Sequence, residues 1–330
     1  MATYKGINGY AVQTVASDPS PGDPGQVFYN TTSKAFEYTT EVQGTWATGG
    51  NLATARSQLG GAGTQTVAAA FGGFAGSVSN ATEEYDGTSW TSGGNLGTAR
   101  QNNGGAGTQT SALSIGGNLN PGRVTNTEEY DGTSWTSGGA LPAAKGYMGS
   151  AGTQTSALSF GGFGVSTVLT STEEYDGTTW TSGGNLGTAN NALAGCGTQT
   201  SALGMGGSTP TSPGATNISE EYDGTSWTAG GNLNIGRSYP GGAGTQTVAL
   251  AFGGATDGSF TPTAATESYN GSTWTSVSNM NSARFAVAEG GAGTQTSALA
   301  IAGETGAGAN ALTEEFTGGP VNVNKTISFT

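Results

Sequence analysis

The sequence predicts an all-β protein: a six-bladed β-propeller closed by an N-terminal strand, with a short N-terminal hairpin arm and a C-terminal strand. Three observations carry this expectation. Thr64-Gln65-Thr66 is written again from Thr108, Thr153, Thr198, Thr245 and Thr294. Tryptophans stand at Trp46, Trp90, Trp135, Trp180, Trp227 and Trp274, 44 to 47 residues apart. A fixed period of this size marks one supersecondary unit stacked on its neighbours. Finally, turn signals cut every period into four short runs, none with a helix-length apolar stripe. The 61 glycines disfavour helices further, at roughly 1 kcal/mol for each interior Gly.

In the first full period, Gly63-Thr64-Gln65-Thr66 separates a small-residue run from the apolar run Val67 to Phe71. Gly72-Gly73 then opens a loop whose length changes from copy to copy. Thr82 to Tyr85 leads into Asp86-Gly87-Thr88-Ser89 and on to Trp90 and Thr91. Asp-Gly between two short runs of aromatic and β-branched residues is a strong hairpin cue. Gly93-Gly94 makes the last joint. Four antiparallel strands in about 40 to 50 residues describe one propeller blade.

The glycine pairs at Gly72, Gly116, Gly161, Gly206 and Gly253, each followed by a tyrosine and then a tryptophan, resemble the kelch repeat. The family's basic residue ahead of the first strand has counterparts at Arg56, Arg100, Lys145, Arg237 and Arg284. The resemblance covers roughly residues 44–318 and implies a kelch-like propeller. Tyr85 and Trp90 stand closer together than is usual in that family. The fourth copy has Asn190 at the basic position, and the sixth has Ala302-Gly303 and Phe316 for the Gly pair and Tyr.

The sixth copy runs through Glu314-Glu315-Phe316-Thr317-Gly318 without a tryptophan, whereas Trp46 comes with no complete unit before it. The strand around Thr45 to Thr48 is therefore expected to complete the last blade, removing two exposed edges. The domains expected are an N-terminal arm at 1–43, the propeller at 44–318 and a C-terminal strand at 319–330. In the arm, residues 18–25 are rich in Pro and Gly and read as loop. Gln26 to Asn30 and Ala35 to Tyr38, joined at Thr31-Thr32-Ser33-Lys34, read as a hairpin. Val321, Val323, Ile327 and Phe329 alternate with mostly polar residues and predict one more strand.

A net charge of −13 argues against nucleic acid or an anionic membrane as partner. No apolar stretch approaches the roughly 20 residues that span a bilayer, and Met1 to Lys5 lead into polar sequence unlike a signal peptide. The one cysteine, Cys196, takes the slot of Ala62, Ala106, Ala151, Ala243 and Ala292 and reads as a small buried residue. The chain has no histidine, so the commonest general base and metal ligand is missing. No catalytic residue, metal or cofactor is expected. Asp86 to Trp90 is similar to the Asp-box of sialidases but one residue short of its spacing. Glu83 and Glu84, adjacent on a strand, point to opposite faces. One of them is expected to meet the repeated Arg56-type residue from blade to blade, as an exposed pair contributing at most about 1 kcal/mol.

A working surface should lie where the copies disagree. The loops after the Gly pairs do: 74–80, 118–125, 163–171, 208–217, 255–265 and 304–311. They emerge opposite the two nearly unchanging turns, and loops on a rigid scaffold are where binding residues concentrate. The candidate ligand-binding residues are Phe74, Asn118, Arg123, Phe163 and Phe260, with Arg123 the one basic residue in these loops. Duplicated Gly/Thr/Ser-rich propellers of this wording, led in by Tyr29-Asn30-Thr31-Thr32, resemble kelch-like proteins of marine tailed phages. The resemblance implies a non-enzymatic virion protein: a tail or head fibre that attaches to a host-surface glycan or protein, or a capsid or tail decoration. Its partners would be other virion proteins, met through the N-terminal arm and C-terminal strand. The alternative is a cytoplasmic kelch-like scaffold for protein–protein interaction.

Overall fold

Glycine at the corners, with apolar, β-branched or aromatic residues between them, leaves this chain short strands and tight turns. The computed structural model describes residues 13–16, 27–42, 44–212, 214–288, 292–318 and 321–327. Among them there is no helix. The chain divides into two units, Thr45–Thr317 and Met1–Gly44 with Gly318–Thr330.

The larger unit repeats one four-stranded antiparallel sheet, as in a β-propeller. The first sheet is Gly60–Gly63, Ala68–Phe71, Thr82–Tyr85 and Trp90–Ser92, in chain order. Four more follow in the same order, and a further sheet joins Ala292–Thr294, Ser297–Ile301 and Thr313–Thr317 to Thr45–Thr48. There Trp46 stands opposite Phe316, as Trp90 stands opposite Tyr85 in the first sheet. Each second strand is covered on both faces; Ala68–Phe71 is buried throughout, which explains its unbroken apolar wording.

Neighbouring sheets are tied by three repeated bonds. The amide of each Thr-Gln-Thr glutamine reaches into the preceding sheet. Gln109 Nε2 donates to the carbonyls of Ala68 (3.1 Å) and Tyr85 (2.7 Å), and Gln65 Nε2 donates to those of Ala298 (3.3 Å) and Phe316 (2.5 Å). Each tryptophan indole also points backwards: Trp135 donates to Thr82 Oγ1 at 2.9 Å and Trp90 to Thr313 Oγ1 at 2.9 Å. Lastly, the tyrosine hydroxyl of one sheet donates to the second glutamate of the one before, Tyr130 to Glu84 at 2.5 Å and Tyr85 to Glu315 at 2.5 Å. The first strands of successive sheets lie against one another, and that of the last, Ala292–Thr294, lies against Gly60–Gly63.

The glycine pair is fixed by close approach. Gly72 and Gly73 have φ of +71° and +96°, and a Cβ there would sit 2.7 Å from the Arg100 and Ser57 carbonyls respectively. No rotamer relieves a backbone clash, which keeps glycine at both positions in five copies; in the sixth, Ala302 takes the first with φ of +55°.

In the smaller unit Val27–Asn30 and Ala35–Val42 form the expected hairpin, with Asn30 Oδ1 accepting the N–H groups of Thr32 and Ser33 in the turn. Gln13–Val15 adds in parallel to Val27–Asn30. Val321–Thr326 is a strand, pairing with Ala35–Val42, so arm and tail share one sheet where the sequence suggested separate segments. The loop expected at 18–25, Gln26 and Phe329 lie outside the described residues.

Candidate functional site

Two residues after the basic position of each copy, the backbone turns left-handed: Gln58, Asn102, Tyr147, Ala192, Tyr239 and Ala286 have φ between +50° and +61°. Such values are uncommon without glycine and need holding in place. What holds them is a circuit. Each N–H donates to the carbonyl of its counterpart one copy back: Asn102 to Gln58 (2.7 Å), Tyr147 to Asn102 (3.0 Å), Ala192 to Tyr147 (2.8 Å), Tyr239 to Ala192 (2.7 Å) and Ala286 to Tyr239 (3.1 Å). Gln58 closes it by donating to Ala286 at 3.0 Å.

The variable loops start beside this circuit. Ser57 bridges Phe74, Gln101 bridges Asn118, Gly146 bridges Phe163, and Ser238 bridges Ala255. Side chains on the circuit and on the loops therefore share one surface. Of the five candidate residues, three come together: Asn118 bridges Arg123, and the Arg123 guanidinium lies 4.6 Å from the Phe163 ring centroid. Arg123 is also 5.9 Å from the Tyr147 ring. Beside it is a cavity of about 230 Å³ lined by Gln101, Asn118, Arg123 and Tyr147 among others. Gln101 Oε1, Asn118 Oδ1 and Arg123 Nε are buried there without hydrogen-bond partners.

Phe260 belongs to a second group. It is 46 % exposed and stacks on Phe285 at 5.7 Å, with Tyr239 5.9 Å away. This group flanks a cavity of about 240 Å³ lined in part by Asn191, Ser208, Ser238, Tyr239 and Phe260. Tyr147 and Tyr239, 6.0 Å apart and edge to face, link the two groups. Phe74 joins neither; its backbone pairs with Ser57 and Val78. Sequence reasoning missed Tyr147, Tyr239 and Phe285. For Tyr147 and Tyr239 the available signal was that the position two after the basic residue reads Gln, Asn, Tyr, Ala, Tyr and Ala in otherwise similar copies.

Chemically, the surface offers aromatic faces, amides, hydroxyls and one guanidinium. Aromatic rings accept the C–H faces of a sugar ring, and amides and guanidinium bond its hydroxyls. No family model matches this chain, and no curated protein matches it.

The repeated carboxylates are engaged in the fold. Glu83 pairs with Arg56 at 3.0 Å and Glu314 with Arg284 at 2.9 Å; Arg100 pairs with Glu128, Lys145 with Glu173, and Arg237 with Glu267. The expectation of exposed pairs running from blade to blade is corrected on both counts. Each pair lies within one copy, and its cation is at most 1 % exposed. The cause is the length of the basic side chain, which runs inward and also donates to carbonyls; Arg56 Nη1 reaches those of Gly72 and Ala81, both at 2.8 Å. Burial pulls these guanidinium pKa values down, against the pull of the carboxylates. Breaking one such pair would cost about 3–5 kcal/mol, since a charge would be left buried and alone. Glu84, the other of the two glutamates, is bound by Tyr130 as described. Cys196 is buried, and burial alone pushes its thiol up to about 12, well outside the range of a reactive thiolate.

Proposed function

We propose that this chain is a non-enzymatic virion structural protein whose six sheets form a propeller closed by Thr45–Thr48, presenting its variable loops to a glycan on a host surface. Ring closure is supported by the circuit of six backbone hydrogen bonds and by the pairing of Thr45–Thr48 with Thr313–Thr317. The placement in a virion rests on the phage-like wording of the repeats and the lead-in hairpin. The unit holding that hairpin and Val321–Thr326 would make the contacts to other virion proteins.

One observation carries the binding role. Residues from separate copies (Arg123, Tyr147, Phe163, Tyr239, Phe260 and Phe285) meet on one surface beside two cavities. The recurring glutamines and tryptophans, and the tyrosines of five copies, hold the sheets together and leave this surface free to vary.

Adsorption of the purified protein to host cells, or to a panel of their surface polysaccharides, tests the reading. R123A and F260A are expected to reduce binding by ten-fold or more each, at about 1–3 kcal/mol per lost anchor, with an unchanged melting temperature. Unaltered adsorption in both variants would overturn the attachment role. Absence of the chain from purified particles would overturn the virion role and favour the cellular scaffold.

A further inference from the structure

Five copies bury a cation against a glutamate; the fourth keeps the glutamate, Glu220, and has Asn190 in place of the cation. Glu220 is 8 % exposed and accepts the N–H groups of Gly187 (2.7 Å) and Thr188 (3.1 Å). Among the described residues no cation pairs with it. Glu221, next on the strand, faces the other way and accepts the Tyr269 hydroxyl at 2.6 Å.

The oxygens that receive a guanidinium elsewhere are all kept. Arg237 Nη1 donates to the carbonyls of Gly253 (3.0 Å) and Ala265 (2.6 Å), whose counterparts in the fourth copy are Gly206 and Ile218. Asn190 Nδ2 reaches the Gly206 carbonyl at 2.7 Å. The Ile218 carbonyl receives the Gly206 N–H at 2.9 Å, leaving a lone pair for a further partner. Asn190 is 4 % exposed, and its Oδ1 is buried without a partner. Leu186, Asn190, Leu193, Gly204, Ile218 and Glu220 enclose a gap too narrow for a water molecule. Gly204 widens it, standing where the other copies have Ala70, Ser114, Ser159, Ala251 and Ala300.

We propose that this gap is a binding site for a small dehydrated monovalent cation, Na⁺ by size, held by the Glu220 carboxylate, Asn190 Oδ1 and the Ile218 carbonyl. The ion replaces the missing guanidinium as the countercharge. The third copy supplies the precedent, because there a compact ammonium, Lys145 Nζ, meets Glu173 where the others use the planar fork. The donors are all oxygen, which suits a hard cation, and a single carboxylate is too little charge for Ca²⁺ or Mg²⁺. Water does not fit and would not neutralise the carboxylate. Burial pushes the Glu220 carboxyl above its usual range, against the N–H groups of Gly187 and Thr188, because desolvation disfavours a carboxylate that lacks a countercharge.

Thermal unfolding of the full chain near neutral pH, in NaCl, KCl or choline chloride at equal ionic strength, tests this. Na⁺ is expected to raise the melting temperature saturably, by a few degrees over choline and by more than K⁺. N190R carries its own countercharge and E220Q removes the need for one, so both should lose the Na⁺-specific increment. E220Q should be at least as stable as the parent in choline. Equal melting in Na⁺ and choline, or an increment that survives E220Q, would overturn the proposal. Were N190R to fail to fold, E220Q decides alone. A parent that ignores the salt but gains stability as pH falls towards the Glu220 pKa would show a proton as the partner, and that also overturns it.

Discussion

Phe316 and Ser268 are two departures from the repeat that explain each other. In five copies a buried tyrosine donates to the second glutamate of the preceding sheet, from Tyr85 to Glu315 through to Tyr269 to Glu221. Phe316 has no hydroxyl to give, and the position it would reach is Ser268 rather than glutamate. A glutamate there would be buried without a donor, so the two changes belong together. We expect S268E alone to cost about 1–3 kcal/mol in urea unfolding. F316Y alone should be nearly neutral, and the double variant should recover most of the loss through a coupling of about 1 kcal/mol or more. Additive single effects would mean that the pair does not interact. Trp274 shows the same logic: its counterpart across the interface is Ser219 in place of threonine, and its indole donates to the Gly231 carbonyl at 2.9 Å instead.

At the level of the sheet, the interfaces between copies set the response to alkali. Burial first, then the bond to glutamate, pushes Tyr85, Tyr130, Tyr175 and Tyr222 up to about 12 from an ordinary 10. A folded-state pKa above the unfolded one gives a contribution fully present below pH 10 and lost as pH rises through about 12. Tyrosinate absorbance should therefore lag that of free tyrosine and then rise together with loss of tryptophan fluorescence. Ionisation of these tyrosines near pH 10, before unfolding, would contradict the buried bonds. The strands behind these interfaces were legible in the sequence because Thr-Gln-Thr, the Gly pair and Asp-Gly mark every corner. What Gln65 and its copies do was not legible. A glutamine in a turn reads as solvated, and only the approach of the preceding sheet turns its amide into a clasp on two carbonyls. The burial of Arg56 was misread for a like reason: sequence shows that a cation recurs, but which way its long stem runs depends on the packing around it.

For the molecule as a whole, Trp46 and Phe316 stand opposite each other across 270 residues of sequence. Removing residues 1–50 should abolish cooperative unfolding in calorimetry, whereas removing 1–43 should leave a single transition. A truncated chain that melts like the full one would break the ring reading. The repetition of one four-stranded sheet was readable from the Trp spacing. The loops suggested the candidate surface only in part. Asn118, Arg123, Phe163 and Phe260 lie in variable segments, but Tyr147 and Tyr239 lie on strand approaches where identity is set by neither turn nor core.

The circuit through Gln58, Asn102, Tyr147, Ala192, Tyr239 and Ala286 has one more consequence. None of its six amide protons has a beginning or an end of the chain of bonds to fray from. In deuterated solvent they should exchange in concert, at a single rate set by parting of the first and last sheets, and a staggered order of labelling would show that each copy opens alone.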